Sequence, residues 1–251
     1  MITVNEDIEL DVDDDDKFYG GQKFERHVTF ILERSLHKGM VVMDIGANVG
    51  VHTVTMARHA GHVFAIEAIP DNYNRLVNTT KQFDNVECYN LGMWHQKARR
   101  VFNYAPSNHA CSYTATTEHD IQSDNQKVYV NCETLENFVQ GRPRIDLIKM
   151  DIEGAEFHVL SSSFNWLRDT KPTILMELNT KCPKVFHGIS HESLLDLMYI
   201  LEYKPVFCEI KDSEESDKKV GTWRGCTYNT LRKRCEEHAV TECIFVPKGV
   251  R

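Results

Sequence analysis

Several features that would identify common classes of protein are absent from this sequence of 251 residues. No apolar run approaches the roughly 18 residues of a membrane-spanning helix, and no apolar segment typical of a secretory signal is present. No two of the eight cysteines form a C-x-x-C pair, which favours reduced thiols over disulfides. These absences predict a soluble, cytoplasmic protein that makes no use of a membrane.

A structural metal site is also poorly supported. Four residues have the composition of a ligand set: Cys226, Cys235, His238 and Cys243. Their spacing fits no common zinc module, and Cys243 lies in an apolar run. We therefore predict no metal ligands here, although a divalent cation at the active site is not excluded by the sequence.

Basic charge is not in excess once the first residues are set aside. Residues 1–16 contain eight acidic residues and no basic one, and removing these from the total of 37 leaves 29 acidic residues against 29 Lys plus Arg. A balanced body lacks the electrostatic footprint of a nucleic-acid-binding protein. We expect residues 1–17 to be an acidic, disordered leader and residues 18–251 to form one domain.

The segment from Val41 to Gly50 is an apolar run that ends in an acid, Asp44, and then a loop of small residues. A second apolar run, 63–67, also ends in a carboxylate, that of Glu67. This pattern is typical of a nucleoside-binding βαβ unit, in which glycines allow close approach to a ligand and the second acid binds the ribose hydroxyls.

The loop differs from a dinucleotide-binding loop. Its pattern is D-x-G-x-N-x-G rather than G-x-G-x-x-G, and Asp44 would repel a diphosphate. A carboxylate suits a ligand that carries positive charge, as S-adenosylmethionine does. We expect Asp44 to face the surface from this loop, so that its replacement by alanine removes donor binding and leaves the fold intact.

Strand and helix patterns alternate along most of the chain, which predicts an α/β fold with a mostly parallel sheet of about seven strands. The last two strands should form a hairpin that ends the sheet with an antiparallel strand. Residues 93–132 interrupt the alternation and predict an inserted hairpin or lid. The predicted helices are 24–38, 50–60, 71–82, 133–140, 153–162 and 190–202, and the predicted strands are 41–45, 62–67, 85–90, 145–150, 173–178, 204–210 and 242–247.

The run 145–156 places several ionisable residues at the end of a buried strand. A lysine such as Lys149 is costly on a central strand unless it is paired or opens into a cleft. Because the carboxyl ends of parallel strands lie at one edge of the sheet, Lys149, Asp151 and Glu153 should border the donor pocket. Alternatively, Asp151 is the N-cap of helix 153–162 with Lys149 as its ion-pair partner, and the helix dipole accounts for Glu153 and Glu156.

Three segments together resemble the FkbM family of S-adenosylmethionine-dependent methyltransferases: 44–53, 67–72 and 147–156, of which the last, Lys-x-Asp-x-Glu-Gly-x-Glu, is the most specific. The resemblance extends from about residue 18 to residue 247. It implies a Rossmann-like class I methyltransferase fold and O-methylation of a hydroxyl, often on a sugar or a polyketide. Ala68 stands where the family usually has proline, and the polar segment 105–126 suggests an acceptor site particular to this chain.

We thus predict an O-methyltransferase that acts on a sugar or glycan hydroxyl, with S-adenosylmethionine as donor and S-adenosylhomocysteine as product. The alternatives are methylation of a polyketide or other small natural product, a donor-binding module without turnover, and a nicotinamide-dependent dehydrogenase. Either Lys149 or Asp151 could accept the proton, with His109, His119 and His187 as further candidates. The candidate catalytic residues are Lys149, Asp151, Glu153 and Glu177, and the candidate donor-binding residues are Asp44, Gly46, Asn48, Gly50, Thr53, Glu67, Asn90 and Asp151.

Overall fold

The structure is a computed structural model of the whole chain. It describes residues 2–3, 9–10, 26–104, 113–114, 126–179, 188–211, 220–238 and 240–249. The predicted leader is described only at Ile2–Thr3 (β1) and Glu9–Leu10 (β2), which pair with each other as antiparallel strands. Disorder of the leader therefore stays a prediction.

Strands and helices alternate in the order that the sequence predicts. After β1 and β2, the strands are Val41–Ile45 (β3), His62–Glu67 (β4), Val86–Asn90 (β5), Gly92–Met93 (β6), Ala98–Tyr104 (β7), Tyr113–Thr114 (β8), Gln126–Glu133 (β9), Leu147–Met150 (β10), Thr173–Asn179 (β11), Tyr203–Lys211 (β12), Val220–Gly225 (β13) and Val240–Pro247 (β14). The helices are Arg26–Ser35 (α1), Val51–His59 (α2), Pro70–Thr80 (α3), Leu135–Val139 (α4), Glu156–Ser162 (α5), Phe164–Thr170 (α6), His191–Ile200 (α7) and Tyr228–Glu237 (α8).

The main sheet has eight strands within the described residues, in the order β13-β12-β14-β11-β10-β3-β4-β5. The five strands from β11 to β5 are parallel, whereas β14, β12 and β13 each run antiparallel to their neighbour. The chain moves outward from β3 to β5 and then returns to the other side of β3 as β10. This reversal makes the crevice at the carboxyl ends of β3 and β10 the expected ligand site.

Helices cover both faces of the sheet. One face packs on α1 and α2 through Val28, Leu32 and Met56, which meet Val42 and Leu147. The other face packs mainly on α4 to α8, where the shared core includes Met43, Ile148, Leu160, Met198 and Leu231. Side chains alternate along each strand, so Asp44 and Lys149 lie on the α1 and α2 face, two residues beyond Val42 and Leu147.

Residues 92–133 contribute a separate four-stranded sheet, in the order β6-β9-β7-β8. Strands β7 and β9 form the predicted antiparallel hairpin, with Phe102 opposite Val128. One face of this small sheet packs on Ile69, which follows β4, and on Ala155, which follows β10. The insertion is therefore attached to the two segments that leave the carboxyl edge of the main sheet, while its action as a lid stays a prediction.

The predicted α/β fold is confirmed, with three local differences. The pattern predicted about seven strands, but the connector between β12 and β14 holds a further strand, β13, and helix α8. The last strand is antiparallel as predicted, but it lies inside the sheet between β11 and β12. Helix α5 begins at Glu156 rather than at 153, because Glu153 and Gly154 have positive φ angles of 53° and 96°.

Candidate active site

The loop after β3 turns sharply at three residues with positive φ, namely Gly46 (82°), Asn48 (50°) and Gly50 (97°). A Cβ atom on Gly46 would overlap the carbonyl oxygen of Asp151 in the neighbouring segment. Glycine is thus required at position 46 by packing within the protein, in addition to any close approach of a ligand. The loop after β3 and the segment after β10 are in direct backbone contact.

Glu67, at the end of β4, holds this loop in place. Its Oε2 accepts a hydrogen bond from the backbone N–H of Asn48 (2.8 Å), and its Oε1 accepts one from the N–H of Ile69 (2.8 Å). Burial raises the pKa of this carboxyl group to about 7, although the two backbone hydrogen bonds act in the opposite direction. Each carboxylate oxygen can accept a second hydrogen bond, so the predicted contact with a ribose is compatible with these interactions.

Asp44 is fully buried on β3, and the prediction that it faces the surface is wrong. Its Oδ2 accepts a hydrogen bond from the Thr53 hydroxyl (2.6 Å), while its Oδ1 has no hydrogen-bond partner and lies 3.7 Å from Lys149 Nζ. A central parallel strand is covered on both faces, which explains the burial. A buried carboxylate oxygen without a hydrogen bond fits a ligand that brings a cationic donor group.

Lys149 Nζ lies between two carboxylates, 3.7 Å from Asp44 Oδ1 and 3.4 Å from Asp151 Oδ2. The two acids stabilise a positive charge on Lys149, which favours the alternative in which Lys149 fixes Asp151. The three side chains differ in exposure: Asp44 is fully buried, Lys149 is 7% exposed and Asp151 is 26% exposed. Asp151 is thus the member of this group that an acceptor can reach.

Asp151 is not the N-cap of the following helix, so that part of the alternative is wrong, whereas its expected ion pair with Lys149 is present. Helix α5 has Ala155 at its N-cap position, without a side-chain hydrogen bond. The backbone N–H of Asp151 instead donates to the carbonyl of Ile45 (3.0 Å), which continues the pairing between β10 and β3. Glu153 lies on the left-handed part of the turn, with a φ of 53°.

A cleft opens beside Lys149 and Asp151, between the ends of β10, β11 and β14. Its walls include Val28 of α1, Leu175 and Glu177 of β11, and Glu242 of β14. Glu177 and Glu242 are direct cross-strand partners, and both are partly buried. Like charges in such a pair are unfavourable, and this cost points to a polar role for the cleft rather than to packing.

Two of the predicted donor-binding residues support other residues. The Thr53 hydroxyl donates its one proton to Asp44, which places Thr53 behind that carboxylate. The side-chain amide of Asn90 donates to the backbone carbonyls of Glu67 and Ala68 (3.0 Å each). Asn90 therefore stabilises the end of β4, and direct contact of either residue with a donor stays a prediction.

The remaining candidates from the sequence are three histidines and the group of three cysteines and one histidine. His109, His119 and His187 fall outside the described residues. Burial raises the pKa of the thiols of Cys226 and Cys235 to about 11, as expected for thiols in an apolar core. Among the residues that the structure describes, no group of three or more His, Cys, Asp or Glu side chains is arranged to hold a metal ion.

Two further residues lie near the site that the sequence pattern does not indicate. Glu242 stands at the start of an apolar run, and only its pairing with Glu177 reveals its position. Tyr104 of β7 is buried and hydrogen bonds to Asp71, at the start of α3; burial raises its pKa to about 12. Its position near α3 depends on how the insertion packs on the main sheet, which no local pattern in the sequence indicates.

Comparison with known proteins now identifies the family. Residues 44–214 match the methyltransferase FkbM domain, a match that includes the loop after β3, the turn after β10 and strand β11. This chain belongs to the FkbM methyltransferase family. The resemblance stated from the three sequence segments is thus confirmed.

One relative is the hexuronic acid methyltransferase AglP of Haloferax volcanii, which is 26% identical over 153 residues. The matched region covers 60% of this chain and 61% of AglP. Among solved structures, the FkbM methyltransferase of Methylobacillus flagellatus KT is 14% identical, with a TM-score of 0.48, and the match covers 83% of this chain and 43% of that one. Precorrin-6y C5,15-methyltransferase of Geobacter metallireducens GS-15 is 13% identical, with a TM-score of 0.49 and coverage of 94% and 96%.

None of the helices in the described part of the chain is long and apolar enough to cross a bilayer.

Proposed function

We propose that this protein transfers a methyl group from S-adenosylmethionine to a hydroxyl group of a sugar or glycan. The observation that carries the proposal is the arrangement of Asp44, Lys149 and Asp151 at the crevice between β3 and β10. The FkbM family match and the similarity to a hexuronic acid methyltransferase support it.

The donor would be held on the β3 and β4 side of the crevice. Glu67 lies where it can accept hydrogen bonds from the ribose, and Asp44 offers a buried oxygen to a positively charged group. Gly46, Asn48 and Gly50 shape the loop between them. When bound, S-adenosylmethionine supplies a methyl group that is attached to a positively charged sulfur. The leaving group is the neutral thioether S-adenosylhomocysteine.

The acceptor would lie on the β10 and β11 side. Asp151 is the exposed carboxylate next to Lys149, so it can accept the proton of the acceptor hydroxyl. Lys149, 3.4 Å from Asp151 Oδ2, then fixes the direction of this carboxylate. Glu177 and Glu242 line the adjoining cleft and can accept hydrogen bonds from further hydroxyls of the acceptor.

Four of the side chains that line this cleft are charged and can hydrogen bond to hydroxyl groups, which favours a sugar over an apolar polyketide, although aliphatic and methionine side chains line the rest of the cleft. Balanced charge outside the first 16 residues also supports an acceptor other than nucleic acid.

The proposal is tested with the full chain, S-adenosylmethionine and a panel of neutral hexoses, hexuronic acids, glycans and polyketides. We expect S-adenosylhomocysteine to be released and one methyl group to be added to a sugar, as measured by mass spectrometry. The Asp151→Asn variant is the control for background transfer. Methylation of polyketides only would contradict the sugar assignment, and donor binding without transfer to any acceptor would indicate a binding module.

A further inference from the structure

The turn from Asp151 to Ala155 has an unfavourable backbone that something must stabilise. Glu153 has a left-handed φ of 53°, which side chains other than glycine adopt at a cost, and Gly154 follows at 96°. The turn nevertheless determines the direction of Asp151, the carboxylate that contacts Lys149.

Glu156 is the residue that stabilises this turn. Its side chain is 3% exposed, and its Oε1 accepts a hydrogen bond from the backbone N–H of Ile152 (3.1 Å). The N–H groups of Gly154 and of Glu156 itself lower the pKa of this carboxyl group, as that of Ile152 does, against the larger opposite effect of burial. The side chain thus faces backbone donors of the turn and hydrogen bonds to one of them, the N–H of Ile152.

A favourable interaction with the helix dipole does not explain this arrangement. That interaction requires only a negative charge near the first helical turn, which an exposed side chain supplies as well. Glu156 is buried, and burial is costly for a carboxylate. The cost is offset by interactions with backbone N–H groups, which fix the shape of the turn rather than the length of the helix.

The other side of the turn is fixed by β3. The N–H of Asp151 donates to the carbonyl of Ile45, and the carbonyl of Asp151 packs against Gly46. Asp151 is thereby held between the loop after β3 and the turn that Glu156 organises.

We propose that Glu156 is a positioning residue, which orients Asp151 toward Lys149 and the acceptor by hydrogen bonding to the turn between them. The inference rests on the proposed methyl transfer, and it assigns to Glu156 a role in turnover without contact with either substrate. A carboxylate that positions the base should affect kcat more than binding.

The central variant is Glu156→Gln, which keeps the size of the side chain but removes its charge and places an NH₂ donor near the backbone N–H groups of the turn. We expect kcat to fall about 10- to 100-fold, and the donor dissociation constant and acceptor KM to change less than about threefold. Glu156→Asp keeps the charge and should recover part of the lost kcat. The matched control is Glu136→Gln, which removes an acidic residue from the first turn of α4 and should leave kcat unchanged.

Amide hydrogen exchange supplies a second measurement that does not depend on activity. In Glu156→Gln, the amide of Ile152 should exchange at least about tenfold faster than in the unmodified protein, because a neutral amide oxygen is a weaker acceptor than a carboxylate and the new NH₂ group faces other backbone donors. The control variant should show no change at Ile152. If Glu156→Gln does not fold, Glu156→Asp must show the same direction of change in both exchange and kcat.

The outcomes separate this inference from the proposed function. Unchanged kcat in Glu156→Gln, in a protein that does methylate a sugar, overturns the positioning role alone. Unchanged exchange at Ile152 overturns the hydrogen-bonding role. Absence of transfer by the unmodified protein overturns the proposed function, and the role of Glu156 in turnover with it.

Discussion

The loop after β3 and the turn after β10 lie side by side at one edge of the sheet, and each is held by a buried glutamate. The glutamate of the first, Glu67, comes from the neighbouring strand and joins two different loops, at Asn48 and Ile69. The glutamate of the second, Glu156, follows the turn directly and hydrogen bonds back to it. The first arrangement fixes a preformed site, whereas the second fixes one side chain, Asp151.

The two regions also differ in what they expose. Asp44, on the β3 side, is fully buried, but Asp151, on the β10 side, is 26% exposed beside a cleft. A buried carboxylate suits the binding of a donor that is enclosed, and an exposed one suits proton transfer from an acceptor that enters from solvent. Each of the following changes tests this division between the two regions.

The largest effect is expected for Asp44→Asn. Because Asp44 is buried against Lys149 and Thr53, the variant should lose about 3 kcal/mol or more of folding free energy, as well as at least about 100-fold in donor affinity. Urea unfolding and calorimetry with S-adenosylhomocysteine measure the two effects.

Asp146→Asn is a matched control for Asp44→Asn. Asp146 stands just before β10, at the opposite edge of the sheet, and accepts a hydrogen bond from the N–H of Val41. The Asp146→Asn variant should therefore leave donor affinity unchanged. A stable Asp44→Asn protein that binds the donor normally would contradict the assignment of the β3 side.

The second largest effect is expected for Asp151→Asn. Removal of the base should lower kcat by about 100-fold or more, while donor affinity stays within about tenfold. Steady-state kinetics with the best sugar acceptor, together with calorimetry, gives both values. Near-normal turnover would make Asp151 a structural residue and would remove the distinction between the two sides.

Asp44, Lys149 and Asp151 show how far sequence predicts such a site. The carboxyl ends of parallel strands share one edge, so their proximity follows from the strand pattern. The burial of Asp44 does not follow from the strand pattern, because a residue at a strand end has the same local sequence whether or not a helix covers it. The role of Glu156 does not follow from the sequence either, since the helical pattern extends back to residue 153 and gives no sign of the left-handed turn.

The order of strands in the main sheet is also only partly predictable from the sequence. Pairing of β12 with β14 is predicted from two apolar segments, but the insertion of β14 between β11 and β12 depends on contacts distant in sequence. The cross-strand pair of Glu177 and Glu242 exists only because of that insertion. A residue such as Glu242 therefore cannot be assigned to the site from local pattern.

A smaller effect is expected from pH. The pKa of both Glu67 and Glu156 is raised by burial from 4.5 to about 7. The folded state therefore binds these protons more tightly than the unfolded state, and each group lowers the free energy of unfolding as pH rises from about 4.5 to 7, by at most about 1.4 kcal/mol per pH unit.

Urea unfolding between pH 4.5 and 8 measures this dependence. Glu67→Gln and Glu156→Gln should each show a weaker decline than the unmodified protein, and Glu136→Gln should not. Equal declines in all four proteins would show that neither carboxyl group has a raised pKa.

The smallest effect is expected for Glu177→Gln. If Glu177 only binds acceptor hydroxyls, replacement of its carboxylate by the glutamine amide should raise the acceptor KM by about tenfold or less and leave donor affinity unchanged. Initial rates over a range of acceptor concentrations measure the change. A loss of donor affinity in this variant would mean that the donor occupies the β11 side of the cleft.

The division between the two regions is tested most directly by a crystal structure of the protein with S-adenosylhomocysteine. We expect the nucleoside in the crevice beyond β3 and β4, with its ribose hydroxyls at Glu67, and the cleft beside Asp151 and Glu177 left open for the acceptor. A nucleoside bound between Asp151 and Glu177, away from Glu67, would contradict the account.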